Sequence, residues 1–278
     1  MIGYFNFYYF LYAGFVIALL IGLYFLLRNK SKRTIEIVLF CLLLSSFTVH
    51  FLKLTAEHYR SWLPYSIRTI TPENICAVSV LLFPWFFISK KNLLRDYMFY
   101  MGMMSGIGAS FLPIDVVGLN AFEFETIRFY FAHNLLWVVP LLMVMLKVHT
   151  LDYKRIPKVP FLALGVLCLI LVNEVILTGT GFVREEHLFS NEVRNAALIF
   201  GPLPVVEPVG AIFTSLTPTI FTTVPVGPNA GDVFYWPILW MLIPAVIYFS
   251  VVSFLLCLPF DFKRIKGDIT ACCNKLRN

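Results

Sequence analysis

YYFLYAGFVIALLIGLYFLLRNKSKR, residues Tyr8–Arg33, decides the class of this protein. Twenty residues without a charge run straight into Arg28, Lys30, Lys32 and Arg33. Twenty residues of helix rise about 30 Å, which matches the hydrocarbon core of a bilayer. A cleaved secretory signal carries its basic cluster before the apolar run, whereas here it follows. The segment therefore reads as a retained membrane span.

Working outward, the pattern repeats. Further apolar runs lie at about Ile35–Leu52, Asn74–Ser89, Tyr97–Val117, Ile127–Met145, Phe161–Leu177 and Phe234–Leu258. The 278 residues are 59% hydrophobic and 14% charged, a balance that excludes an ordinary soluble domain. The expected fold is an all-α bundle of about seven transmembrane helices forming one integral membrane domain over residues 1–278. Sixteen of the 22 Lys and Arg residues follow the first, third, fifth and seventh spans, and six fall in the other connections: Lys53, Arg60, Arg68, Arg128, Arg184 and Arg194. By the positive-inside rule, the N-terminus is expected outside and the C-terminus inside. The net charge of +6 then needs no nucleic acid partner, and no basic stripe interleaved with aromatics suggests one.

The six cysteines show neither CxxC pairs nor Cys/His ligand spacing, so neither a disulfide framework nor a metal site is expected. Cys272–Cys273 reads as part of a solvated basic tail. The segment 178–232 is a long outer connection rich in Pro, Gly, Thr and Val. Connections of this length are usually functional or disordered. Within it, Asn191–Phe200 is a candidate interfacial helix and Ala211–Val224 a candidate hairpin or re-entrant segment. The segment is expected to cap the outer face or to contact the substrate.

Polar groups inside hydrocarbon are costly and often functional. Thr71-Pro72-Glu73 reads as a helix start, with Cys76 about one turn below it. His133 lies one to two turns inside the fifth span, just after Arg128. Asn173 and Glu174 lie about a turn below the exit of the sixth. His50 is near the outer end of the second span and Asp115 near the outer end of the fourth. At about 1.5 Å per residue, all fall within roughly 10 Å of one boundary, on five different helices.

Each has a plainer reading. A cysteine in a membrane helix is usually a packing residue. Asn134 and Asn173 read first as interhelical hydrogen-bonding groups, and His50 and Asp115 as interfacial. Gly102, Gly106 and Gly108 suit close helix packing. Glu174 is the hardest to dismiss, because a buried carboxylate needs a partner or a raised pKa.

The chemistry that fits the set is acyl transfer. Cys76 would attack an ester as thiolate, favoured by the helix start. His133 would act as base and then as acid. Glu174 or Asn173 would orient the imidazole, and Asn74 or backbone donors would serve the oxyanion. Asp115, Arg128, Asn134 and His50 would support the site. If Cys76 is inert, His133 with a carboxylate would run one-step transacylation.

The runs TPENICAVSVLLFPWF, LLRDYMFYMGMMSGIGASFLPID, RFYFAHNLLWVVPLLMV and LVNEVI, within Leu63–Ile176, resemble the YwaF-type family of bacterial integral membrane proteins. That family is distantly related to a eukaryotic transmembrane acyltransferase acting on ether phospholipids. The resemblance implies a multi-helix membrane fold and a lipid acyltransferase using a Cys and a His, here Cys76 and His133, with Asp115 and Asn173 in support. Family members often carry a histidine two residues before this cysteine, where this chain has Asn74. The long outer segment looks like an insertion.

The reading is thus a multi-pass cell-membrane protein, expected in a bacterial plasma membrane. It would move an acyl chain from a membrane phospholipid to a lipid or lipoprotein acceptor at the outer leaflet, with no metal and no soluble cofactor. The alternatives are a small-solute binding or transport protein using the same polar cluster, and a non-catalytic membrane scaffold docking through the fourth span.

Overall fold

A computed structural model describes residues 1–188, 197–202 and 207–277. Among them the regular elements are helical, with one isolated antiparallel bridge between Thr223 and Val233. The long helices are α1 (Phe7–Leu27), α2 (Lys32–Phe51), α7 (Phe124–Met145), α8 (Val159–Gly179) and α10 (Leu242–Arg277). Each is long and apolar enough to cross a membrane. The short helix α3 (Glu57–Arg60) lies between α2 and α4 (Ile75–Ser89), a shorter apolar helix. Next come α5 (Asn92–Met101), a π-helical turn at Gly102–Gly106, and α6 (Ile107–Phe111), which read as one continuous rod. A last short helix, α9 (Glu207–Ser215), precedes α10.

Helix α7 is the axis of the bundle. Its Leu135, Leu136, Val138, Val139, Leu142 and Met143 are all buried. It packs on α2, on the π-helical turn and on α5. Glycine permits the closest of these approaches: a Cβ added at Gly102 would lie 2.2 Å from the Leu136 carbonyl oxygen. The outer faces of α1 and α8 instead carry exposed Phe10, Phe15, Ile21, Phe25, Phe161, Val172 and Ile176, the inverse of a soluble protein and suited to lipid.

Several boundaries differ from expectation. The fourth span, expected at Tyr97–Val117, begins at Asn92 and stops at Phe111, because Pro113 can neither donate a backbone hydrogen bond nor follow a helical residue comfortably. Asp115 therefore lies outside the helix, in a 3-10 turn at Ile114–Val116. The last span, expected from Phe234, becomes helical only after Pro237, through a 3-10 turn at Leu239–Met241. Asn74, rather than Thr71, caps α4: its Oδ1 accepts from the Ala77 amide at 2.8 Å, while Thr71 turns its hydroxyl to the Arg68 carbonyl.

The outer segment also differs. Ala211–Ser215 lies in helix α9, so no hairpin forms across Ala211–Val224; the bridge closes a turn at 223–233 instead, with Gly227 and Gly231 at positive φ. Most of the candidate helix Asn191–Phe200 lies outside the described residues, and Ala197–Phe200 is a turn with Leu198 at φ 61°. That turn is tied to the start of the last helix by Trp240 Nε1 donating to the Leu198 carbonyl at 2.8 Å. All six cysteines are free thiols.

Candidate functional site

Helix direction alternates along the chain, so the C-terminal ends of α2 and α6 meet the N-terminal ends of α4 and α7. Between them is a cavity of about 770 Å³. Its lining includes Cys76, His133, His50, Asn74, Asp115 and Arg128, six of the nine residues singled out in the sequence. Lys53, Tyr59, Arg68, Thr69, Glu73, Glu123 and Glu125 complete its polar wall.

Cys76 is the second residue of α4. The Ile75, Cys76 and Ala77 amides, in the first turn, have no acceptor within the helix. Asn74 Oδ1 satisfies Ala77, leaving the amides of Ile75 and Cys76 beside the thiol. The leading amides of a helix favour negative charge beside them. Ser105 stands on the π-helical turn and donates its own proton to the Met101 carbonyl at 2.7 Å. Such turns widen a helix by one residue and often occur at functional positions.

His133 lies on α7 with its Nδ1 2.9 Å from the Phe129 carbonyl, one turn earlier. A carbonyl only accepts, so Nδ1 carries the proton and Nε2 is the basic nitrogen. The backbone thus performs the orienting role that the sequence reading gave to Glu174 or Asn173. His50 is a second imidazole on the cavity. Its buried Nε2 has no hydrogen-bond partner among the described residues.

The charges are arranged in two groups. Arg128 makes a two-pronged contact with Glu125, one prong at 2.8 Å from Nε to Oε2. Tyr59 donates its hydroxyl to the same carboxylate at 2.8 Å. Burial, and then the Glu125 charge, push the Tyr59 phenol above its usual range. On the other wall Lys53 Nζ donates to the Thr69 carbonyl at 2.8 Å. Burial raises the carboxyls of Glu73 and Asp115 above the usual carboxylate range, against the opposing pull of Lys53 on both and of Arg68 on Glu73.

The remaining three residues lie elsewhere. Glu174, 1% exposed, sits 3.8 Å from Arg68 Nε, and the same nitrogen lies 3.1 Å from Glu73. Asn173 donates to the Thr71 hydroxyl at 3.0 Å. Asn134 accepts from the Ser110 hydroxyl at 2.8 Å, joining α7 to α6. Glu174 and Asn173 thus brace the chain leading into α4. None of the described residues of 178–232 lines the cavity. Among the described residues no group of three His, Cys, Asp or Glu side chains is placed to hold a metal ion.

The sequence reading did not single out Lys53, Tyr59, Arg68, Glu73 or Glu125 as site residues. Lys53 carried a signal, as a lone cation at a span end on the side poor in Lys and Arg. Glu125 and Arg128 stand at helical i,i+3 spacing. Ser105 reads in the sequence only as part of the small-residue packing run of the fourth span, since a π-helical turn has no composition of its own.

The TMEM164 family matches residues 2–206, and the chain belongs to that family. The match contains every residue that lines the cavity and ends before α10. No curated protein and no solved structure gives a significant match. The chain is a multi-pass α-helical membrane protein of this family.

Proposed function

We propose that this member of the TMEM164 family is a membrane-embedded acyltransferase, taking an acyl chain from a membrane phospholipid through a thioester on Cys76. The observation that carries the reading is the placement of Cys76, in the first turn of α4, and of His133, as the Nδ1–H tautomer, on one polar cavity inside an apolar bundle. The resemblance to the YwaF-type family, itself distantly related to a eukaryotic acyltransferase acting on ether phospholipids, adds to it.

The steps follow from general chemistry. His133 Nε2 takes the thiol proton as sulfur attacks the ester carbonyl. The Ile75 and Cys76 amides stabilise the oxyanion. The C–O bond breaks, and the leaving alkoxide takes the proton from His133, releasing a lysophospholipid. The hydroxyl or amine of a lipid or lipoprotein acceptor then gives its proton to His133 and attacks the thioester; the C–S bond breaks, and the departing thiolate takes that proton back from His133. The cavity carries both signs, Lys53 and Arg68 with Glu73 and Asp115, as a zwitterionic headgroup does. No metal or soluble cofactor is needed, since the ester is already activated.

Intact-mass spectrometry of the purified protein with phospholipid tests this. An acyl adduct that neutral hydroxylamine removes, absent in Cys76→Ser, is the expected result. Turnover without an adduct would move the chemistry to His133 as a general base. The mixed charge also suits a small charged solute. In that case Cys76→Ser would leave function intact, and solute would protect Cys76 from thiol reagents.

A further inference from the structure

The opposite end of the bundle holds a second cavity, of about 740 Å³. Cys76 and Lys90 stand at the two ends of α4, about 20 Å apart along the helix. The second cavity is lined by Lys32, Arg33, Lys90, Arg95, Lys147, Arg155 and Arg264. Six stretches of chain bring these together: the start of α2, the ends of α4 and α7, the start of α5, the turn before α8, and α10. Glu36 and Asp152 are the acids in the lining, and Asp96 lies buried beneath it. Seven cations against three acids leave a surplus of four positive charges.

The cations fall into two kinds. Arg95, Arg155 and Arg264 are already engaged. Arg95 donates to the Phe87 carbonyl at 2.7 Å. Arg155 pairs with Asp96, which also meets His149 Nε2 at 2.7 Å. Arg264 lies 3.1 Å from Asp152. Lys32, Arg33, Lys90 and Lys147 are exposed, and among the described residues their side chains make no ion pair or hydrogen bond. Like charges gathered in one concavity repel, and an anion bound between them relieves that repulsion.

Helix starts add to the field. The cavity touches the first turns of α2, at Lys32, and of α5, at Asn92. No side chain caps α5, so its leading amides remain available to an acceptor. Loop cations that only set membrane orientation have no need to converge on one cleft. Convergence of Lys and Arg on a cleft at a membrane boundary is the pattern that recognises phosphorylated headgroups.

We propose that the cleft between the ends of α2, α4 and α7 binds a phosphate-bearing anion, supplied by an anionic lipid headgroup or by a soluble phosphate compound. Lys32, Arg33, Lys90 and Lys147 contact it, and Asp96 positions Arg155 at the floor. This site is independent of the chemistry at Cys76.

The test uses full-length protein in nanodiscs of phosphatidylcholine with a minor fraction of phosphatidylinositol bisphosphate, read by native mass spectrometry. One variant combines Arg33→Gln, Lys90→Gln and Lys147→Gln. A control removes the same charge from exposed positions outside the cleft, with Lys263→Gln, Lys266→Gln and Lys275→Gln. The cleft variant is expected to lose retained bisphosphate lipid by about 100-fold, and the control to lose little. In nanodiscs of phosphatidylcholine alone, pyrophosphate that raises the melting temperature of the wild type but not of the cleft variant would support the site with a soluble ligand. Equal losses in both variants, or no binding of either probe, would overturn the proposal.

Discussion

His133 Nδ1 donates to the Phe129 carbonyl at 2.9 Å, and this single bond sets which imidazole nitrogen is basic. Because the acceptor belongs to the same helix, the ring is oriented without any carboxylate. The first prediction follows. His133→Ala should lower phospholipid turnover in proteoliposomes by about 10²–10⁴-fold, the usual contribution of a general acid-base group. His50→Ala should cost less. The reverse order would transfer the base role to His50, whose Nε2 also lies buried at this cavity.

Asp115 gives a pH dependence. Burial raises its carboxyl above the ordinary range, with Lys53 opposing. A raised folded pKa gives stability that is present below the unfolded value and lost as pH rises through the folded one. The wild type should therefore melt at progressively lower temperature than Asp115→Asn as pH climbs out of the carboxylate range, and the two should converge in acid. Melting curves in detergent from pH 4 to pH 8 check the sign, read as the wild-type minus variant difference so that other groups cancel.

Arg128 is 6% exposed, and Glu125 is its ion-pair partner. Glu125→Gln leaves a buried guanidinium without countercharge and should cost about 3 kcal/mol. Tyr59→Phe removes one hydrogen bond to the same carboxylate and should cost about 1 kcal/mol. The double variant Glu125→Gln with Arg128→Met should recover part of the loss. Chemical denaturation in a common detergent measures all three. A double variant less stable than Glu125→Gln alone would contradict the pairing.

The helices and their common polar end were legible because hydropathy and alternating charge are strong, local signals. Every apolar run expected to span is helical at its centre. What escaped depended on tertiary contact. Pro113 moved Asp115 off its helix, yet Asp115 still lines the cavity. Depth counting placed Glu174 and Asn173 correctly at this end but said nothing of azimuth, and both face Arg68 and Thr71 rather than the cavity. Lys53, Tyr59 and Glu125 stand in or beside connections, where sequence periodicity carries no positional information.

Glycines in the fourth helical rod give a graded series. At Gly102 a Cβ meets the Leu136 carbonyl oxygen at 2.2 Å, and at Gly106 it meets the His133 carbonyl oxygen at 3.0 Å and Trp137 Cβ at 3.1 Å. At Gly108 nothing lies within 4 Å. The obstacle at Gly102 is backbone, which cannot rotate aside, so Gly102→Ala must push α5 from α7 and should cost about 1–3 kcal/mol. Gly108→Ala should be neutral or stabilise by up to about 1 kcal/mol through helix propensity. Gly106→Ala presses on the turn that carries His133, so it should depress turnover more than melting temperature. Measuring both quantities for the three variants separates packing from catalysis. A Gly106→Ala protein with full turnover and a lowered melting temperature would show that the contact braces the bundle without positioning the imidazole.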